Sequence, residues 1–366
     1  MRLWASQIFH VAAEEMLHLA QAWNLLTAVG GSPYYSRPNF PQAAKHFPLE
    51  VALLLRRFDA DTVQRFIYYE SPAHERDDLP DLEPPPGALW PIDESFPYRS
   101  VGELYGECWW IIKNIGKEQL FIGEHDRQIG QDLIDFPNIV EVTNHASAQK
   151  AIKLITEQGE GTKRGERDTS HYGVFRRILE NLRASPPDWE PSRPVADNPY
   201  WKRRRDQVAV IARDKFGKSG IRSEEITHER SREAVDLFDD VYVSMLQALA
   251  YVFSNATQEE AYLRLFSRSA LDLMITVIRP LGEGISLMPS GTEGINAGPT
   301  FAMTRHAQLP SPPMVAHLVF YERLEQLYDH ATTLAAQLGE ISPLAVAHIR
   351  SAEANLARIA EYVASM

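Results

Sequence analysis

The sequence predicts a mainly α-helical protein, a helical bundle followed by a second helical layer or subdomain. Apolar residues recur at steps of three and four along most of the 366 residues, which is the period of amphipathic helices. Strand patterns are scarce, and only residues 139–142 favour a strand. Prolines and glycines concentrate in 71–97, 185–199 and 280–313, which predicts long loops there.

Composition limits the classes of partner and compartment. The chain has 37 basic and 49 acidic residues and a net charge of -12, which argues against nucleic acid or an anionic membrane as the main ligand. The single cysteine, Cys108, excludes an internal disulfide framework and a thiolate metal cluster and fits a reducing cytoplasm. No apolar run approaches the ~20 residues that a membrane span needs.

The first predicted helix, LWASQIFHVAAEEMLHLAQAWNLLTAV, ends at Gly30-Gly31 and carries an interrupted apolar stripe. The interruptions, Glu15 and His18, are three residues apart and therefore share one helix face. We expect Glu14 to point away from the stripe into water. The stripe consists of Trp4, Ile8, Val11, Glu15, His18, Ala22, Leu25 and Val29.

A carboxylate in a buried stripe must be compensated, because an unpaired buried charge costs several kcal/mol. A metal ion is one solution, since an inward Glu-x-x-His on a bundle helix forms half of a di-iron or di-manganese site. A core Glu–His pair, or a bond from Glu15 to a buried tyrosine or arginine, would serve equally.

Other acids and histidines lie at predicted helix ends. Ser100 is the expected N-cap of a second long helix, with Glu103 at its third position. Glu157 and Glu160 flank a glycine at the end of a helix predicted over 147–158. Ser170 is the expected N-cap of the next helix, and His171 in its first turn is disfavoured if charged but not if neutral and metal-bound.

We predict three regions: a metal-binding bundle over 1–184, a linker and charged strap over 185–232, and a helical subdomain over 233–366. The acidic stretch 71–97 is expected to be a surface loop or lid. Asp239 lies in a helical seam without a nearby histidine and is interpreted as a hydrogen-bonded core acid. His125 and His145 are interpreted as structural or surface residues. Further helices are predicted over 49–58, 61–69, 233 onward, 257–278, 314–338 and 342–365.

Five segments together resemble the ferritin-like family that includes the iminophenyl-pyruvate dimer synthases of violacein and indolocarbazole biosynthesis. They are EEMLHLAQAWNLLTAVGGSP, GELY, SAQKAIKLITEQGEGT with the following SHYGVF, FDDVYVSML and AGPTF. The resemblance implies a ferritin-like helical bundle that binds iron, one or two ions, with manganese as an alternative. It also implies molecular oxygen and a small-molecule imine as reactants, with a second copy of the chain or a partner enzyme as a protein partner.

By the same resemblance, the metal ligands would be Glu15, His18, Glu103, Glu157, Glu160 and His171. Within this set, Glu15, His18, Glu157 and His171 would carry the catalysis. The synthases are longer proteins that usually have one more bundle helix, with another acid, before the segment where this chain starts. The first helix is therefore expected to be incompletely covered, with a groove beside Glu15.

Two functions of different class follow from the residues and the resemblance. In one, the chain is a non-haem iron oxidoreductase that couples or oxidises an amino-acid-derived imine in secondary metabolism. In the other, it is a non-catalytic helical scaffold or interaction protein whose acids are caps and ion pairs. Iron storage fits less well, because long irregular loops do not suit a closed cage.

Overall fold

The computed structural model describes most of the chain and all of its predicted long helices. The described residues are 2–33, 35, 37, 39–42, 53–72, 100–131, 133–134, 137–161, 169–186, 188–201, 223–254, 259–303, 308–339 and 341–366. The predicted lid at 71–97, apart from its first two residues, and the basic run at 202–205 lie outside them.

The described elements are helical, with isolated β-bridges instead of a sheet. The prediction of a mainly α-helical fold is confirmed. The helices are α1 (Arg2–Ala28), α2 (Ala60–Glu70), α3 (Val101–Asn114), α4 (Lys117–Leu120), α5 (His145–Gly159), α6 (His171–Arg183), α7 (Glu229–Ser254), α8 (Glu260–Asp272), α9 (Arg279–Ile285), α10 (Pro313–Gln337) and α11 (Pro343–Ala364). A π-helical segment, Leu273–Ile278, joins α8 to α9.

The caps that the sequence predicts are present. Ser100 Oγ accepts a hydrogen bond from the Glu103 N–H, and Ser170 Oγ accepts one from the Gly173 N–H. After α1, Gly30 has a φ of 82°, and the Gly30 and Gly31 N–H groups close the turn onto carbonyls of the last helical residues. This left-handed position favours glycine and ends the helix as predicted.

The buried face of α1 differs from the predicted stripe. Leu17, Gln21 and Asn24 are buried, whereas the Glu15 side chain is 49 % exposed. The helix also leaves large apolar side chains exposed, and its incomplete cover stays a prediction. They are Leu3, Phe9, Leu19 and Leu26.

The β-leaning residues 139–142 form no strand, and two buried amides of α1 occupy the place of a strand partner. Gln21 donates to the Val140 carbonyl and accepts from the Val140 N–H, both at 2.8 Å. Asn24 exchanges the same pair of bonds with the backbone of Ile129 at 2.8 and 2.9 Å. The Val140 carbonyl also accepts a hydrogen bond from Asn24 at 3.1 Å, so side chains of α1 hold Val140 against the middle of that helix.

The helix predicted over 49–58 is wrong in its described part. Residues 53–58 are not helical, because their backbone is used in tertiary pairing. Leu53 exchanges hydrogen bonds with the backbone of Gln42. Leu55 donates its N–H to the Asn198 side chain and accepts from the Asn198 N–H.

The hydrophobic cores are unequal in size. The largest cluster fills the C-terminal helices α7 to α11 and reaches α1 only at Ala20 and Trp23. A small cluster joins α1, α2 and α6, and another joins the end of α1 to α3 and α5. The candidate site lies among α1, α2, α5 and α6, in the less apolar part of the molecule.

Candidate metal centre

Four helix segments bring polar side chains together. The middle of α1 supplies Glu14, Glu15 and His18, and the start of α6 supplies His171. Glu70 is the last residue of α2, and Gln158 lies one residue before the end of α5. The side chain of His171 is completely buried and that of His18 is 7 % exposed, so both imidazoles are held inside the bundle.

Glu15 connects the two histidines. Its Oε1 lies 3.1 Å from His18 Nδ1 and 2.9 Å from His171 Nδ1. The two imidazole ring centres are 5.4 Å apart. A carboxylate oxygen and two ring nitrogens therefore converge, and the three candidate ligand atoms lie within 4.8 Å of one another.

Two further carboxylates approach His171 from other sides. Glu14 Oε2 lies 3.1 Å from its Nε2, and Glu70 Oε2 lies 3.7 Å from its Nδ1. A Cβ atom at Gly159 would lie only 3.3 Å from Glu70 Oε2, so the glycine leaves room for this carboxylate. The cluster thus contains three acids around one buried imidazole.

The electrostatic environment favours a positive charge between these groups. Burial alone would lower the pKa of His171, but the carboxylates of Glu15 and Glu70 raise it to about 10. Burial would raise the pKa of Glu15, but His171 and His18 lower it to about 2. For Glu70, burial raises the pKa. A proton satisfies the cluster, and a metal cation at the same place would satisfy it by the same electrostatics.

The donor set fits a transition-metal ion. His171 Nδ1 is buried without a hydrogen bond of suitable geometry in the part of the chain that is described, although it points into the space near Glu15. Metal–ligand bonds to imidazole and carboxylate are about 2.0–2.2 Å long, which places neighbouring ligand atoms about 3 Å apart. The two nitrogen–oxygen distances at Glu15 Oε1 have this length. Imidazole with carboxylate is a set that suits iron and manganese.

The predicted site residues are brought together only in part. Glu15, His18 and His171 converge, but Glu157 is exposed. Glu157 therefore does not join the cluster. The next residue of α5, Gln158, faces His18 instead, and Gln158 Oε1 lies 2.8 Å from His18 Nε2. The prediction that Glu15 is buried is also wrong, because it lies at the solvent edge of the cluster.

Two other predicted ligands make contacts at the start of α3. Glu160 accepts a hydrogen bond from the Gly102 N–H at the start of α3, and a Cβ at Gly102 would collide with it. Glu103 is half-buried in the first turn of α3, where its N–H is bound by the Ser100 cap. Their membership of a ligand set stays a prediction.

Three residues of the cluster were missed. Glu14 was expected to face water, but its side chain is 19 % exposed and contacts His171. Gln158 carries no charge and Glu70 ends a short helix distant in sequence, so no spacing rule marks either one. The sequence signal for Glu14 was its position next to Glu15, because two adjacent residues of one helix can contact the same buried imidazole from different sides.

With this geometry established, comparisons with known proteins locate the cluster in a family. The ferritin-like family model matches residues 2–180, the segment that contains all six cluster residues. The match relates this part of the chain to the ferritin-like family. No solved structure gives a significant match.

Two curated relatives match over most of this chain. Dichlorochromopyrrolate synthase from Lentzea aerocolonigenes is 29 % identical over 355 residues, covering 89 % of this chain and 32 % of the relative. The 2-imino-3-(indol-3-yl)propanoate dimerase from Chromobacterium violaceum is 26 % identical over 307 residues, covering 80 % of this chain and 27 % of the relative. The chain spans about a third of the length of these curated relatives.

None of the described helices combines the length and the apolar character required to cross a bilayer.

Proposed function

We propose that this ferritin-like chain is a non-haem iron oxidoreductase, with one or two irons held at the cluster. The observation that carries the proposal is the convergence of Glu15, His18 and His171 on one point inside a bundle of the ferritin-like family. Manganese prefers the same donors and is the alternative ion.

Four of the cluster residues have a proposed role in holding the metal. His18 and His171 bind through Nδ1, and Glu15 binds through the oxygen that already lies within 3.1 Å of both nitrogens. Glu70 is the carboxylate placed to complete the set, since its Oε2 lies 3.7 Å from His171 Nδ1. Iron held by carboxylates and imidazoles supplies oxygen activation and one-electron chemistry.

The proposed reaction is the oxidative coupling of two amino-acid-derived imines. The names of the two relatives, a synthase and an imine dimerase, support this class of substrate. Joining two imines through carbon atoms that each lose one hydrogen releases two electrons and two protons. Molecular oxygen takes these up as hydrogen peroxide, so the step balances without another reductant or oxidant.

The structure offers a side from which such a substrate can approach. Glu15 is half-exposed, whereas His171 is buried, so the Glu15 edge is the most exposed side of the cluster among the described residues. Leu19, one turn along α1 from Glu15, is 44 % exposed and presents an apolar surface beside this edge. An aromatic imine would find an apolar contact there, next to the proposed metal.

The test is replacement of His18 by Ala, with exposed His125→Ala as the matched control. Iron bound after loading, oxygen uptake and peroxide release with indole-3-pyruvate imine are measured, and circular dichroism reports the fold. We expect His18→Ala to lose iron and oxygen uptake while the helices persist, because it removes a ligand and leaves a cavity costing only ~1–3 kcal/mol. His125→Ala should behave as the unmodified protein.

Full iron content in His18→Ala would contradict the proposal. So would an unmodified protein that binds neither iron nor manganese under any loading condition. The cluster would then be a structural group of ion pairs, and the chain a helical scaffold.

A further inference from the structure

A chain of hydrogen bonds runs behind the two histidines, on the side away from Glu15. Glu14 Oε2 lies 3.1 Å from His171 Nε2, and Glu14 Oε1 accepts a 2.9 Å hydrogen bond from the Gln158 amide nitrogen. The Gln158 Oε1 lies 2.8 Å from His18 Nε2. His10 Nε2 also lies 3.6 Å from Glu14 Oε1, on the exposed side of α1.

The direction of each bond follows from the chemistry of Glu14. An ionised carboxylate only accepts hydrogen bonds, so Gln158 must turn its NH₂ group toward Glu14. The amide oxygen of Gln158 then faces His18 and can only accept, which requires a proton on His18 Nε2. Glu14 likewise requires a proton on His171 Nε2. One carboxylate therefore sets the proton position on both rings.

The consequence lies on the opposite side of each ring. With Nε2 protonated, a neutral imidazole carries its free lone pair on Nδ1. The two Nδ1 atoms lie 3.1 and 2.9 Å from the same oxygen of Glu15. Where no proton lies between them, three lone pairs then point at one another, an arrangement that a bound metal cation would stabilise in place of the proton.

We propose that Glu14 and Gln158 are positioning residues that keep a proton on Nε2 of His18 and of His171 and thereby present both Nδ1 atoms as metal ligands. The proton arrangement stands on the hydrogen bonds alone, and its use in metal binding rests on the proposed function. Outer partners of this kind fix the tautomer and orientation of a ligating histidine.

The substitution Glu14→Gln tests this directly, because an amide at position 14 cannot accept hydrogen bonds from both His171 and Gln158 through its two end atoms. The amide introduced at position 14 must turn its NH₂ group either to His171 or to Gln158. In the second arrangement Gln158 presents its own NH₂ group to His18. One ring therefore faces a donor in each arrangement and has to give up its Nε2 proton. We expect Glu14→Gln to weaken Zn(II) and Fe(II) binding about 10- to 100-fold.

Exchanging the two residues restores the pattern. In the double variant E14Q/Q158E, the carboxylate now at position 158 accepts from His18 and from the NH₂ group of the amide at position 14. The oxygen of that amide accepts from His171. The direction of every bond to the rings is the same as before. We expect metal affinity within about threefold of the unmodified protein.

A matched control lies on the helix that carries His171. Glu180 is an exposed acid near the C-terminal end of α6, whereas His171 is the first residue of that helix. Glu180→Gln removes the same charge as Glu14→Gln without touching either ring. We expect it to leave metal affinity unchanged.

A second readout needs no metal. In ¹⁵N-histidine-labelled, metal-free protein, long-range ¹H–¹⁵N spectra report which ring nitrogens carry protons. We expect a proton on Nε2 of both rings in the unmodified protein and in E14Q/Q158E, and its loss from one ring in Glu14→Gln. Should Glu14→Gln fail to fold, Gln158→Met takes its place: it removes the acceptor for His18 alone, so the His171 Nε2 proton should persist while His18 metal binding weakens.

The outcomes separate this inference from the proposed function. Both Nε2 protons in a protein that binds no metal would uphold the proton arrangement and refute the iron site. Tight metal binding in Glu14→Gln, or an exchange variant as weak as the single one, would refute the positioning role and leave the iron site intact.

Discussion

Two acids, Asp239 on α7 and Glu15 on α1, each interrupt an apolar helix stripe, and the groups that surround them differ. Asp239 on α7 is completely buried, accepts a hydrogen bond from the Ala302 N–H at 2.7 Å and accepts another from the Thr300 hydroxyl. This confirms the prediction of a hydrogen-bonded core acid. Glu15 on α1 instead faces two imidazoles, and one of them has a buried nitrogen without a suitable hydrogen bond among the described residues.

The difference separates a structural acid from a candidate ligand. The groups around Asp239 are donors from the loop over 299–302, so the carboxylate is satisfied by the chain itself, inside the largest hydrophobic core. The groups around Glu15 are two imidazoles, which can bind either a proton or a metal ion. The two acids differ in burial as well as in partners, and the chemistry of the partners separates the structural acid from the candidate ligand.

The largest effect is expected at the structural acid. Asp239→Ala leaves the Thr300 hydroxyl and the Ala302 N–H without this acceptor, so the free energy of unfolding should fall by about 2–5 kcal/mol in urea titrations. Iron bound per folded molecule should not change. Neighbouring Asp240→Ala removes an ion pair with Arg323 whose side chains are 28 % and 20 % exposed, and it should cost less than Asp239→Ala. Equal costs at the two positions would contradict the contrast.

Bound metal should stabilise the folded protein only through the cluster around Glu15. At about 100 times the dissociation constant, Zn(II) or anaerobic Fe(II) should raise the free energy of unfolding by about 2.7 kcal/mol, because the ion binds the folded state. Thermal unfolding measures this. His171→Ala should lose the stabilisation and Asp239→Ala should keep it. A metal-induced shift that survives in His171→Ala would place the ion elsewhere.

A smaller effect is expected from pH in the metal-free protein. The pKa of His171 is raised to about 10, so its stabilising contribution is complete below 6.5 and is lost as pH rises through 10. The pKa of Glu15 is lowered to about 2, so its contribution is present above 4.5 and is lost as pH falls through 2. Glu14, Glu15 and Glu70 face the His171 ring.

The denaturant midpoint of metal-free protein minus that of His171→Ala should therefore shrink between pH 6.5 and 10. A constant difference over this range would mean that the ring is neutral throughout.

The smallest effect is expected at Glu157, which is exposed on α5. Glu157→Gln should change stability by less than about 0.5 kcal/mol and leave metal affinity unaltered. Isothermal titration with Zn(II) measures the affinity. A tenfold loss would restore Glu157 to the ligand set and would require α5 to turn from the position seen here.

Local sequence signals predicted most elements of the fold. The apolar period located α1, α2, α3, α5 and the C-terminal helices, because each helix buries one face and its side chains repeat with the helical turn. Ser100, Ser170 and Gly30 marked their ends by short-range hydrogen bonds and backbone freedom. The Glu15–His18 pair was equally visible, since three residues along a helix place two side chains together.

The tertiary structure alone decided what surrounds that pair. The rotation of α1 set Glu15 at the solvent edge and turned Glu14 toward His171, a choice of a few tens of degrees that an apolar stripe does not fix. The register of α5 selected Gln158 over Glu157. The amides of Gln21 and Asn24 bind the backbone of Val140 in place of a strand partner, because hydrogen-bond satisfaction depends on groups more than a hundred residues away. Sequence spacing determines which residues share a face, whereas the packing of other helices determines what that face meets.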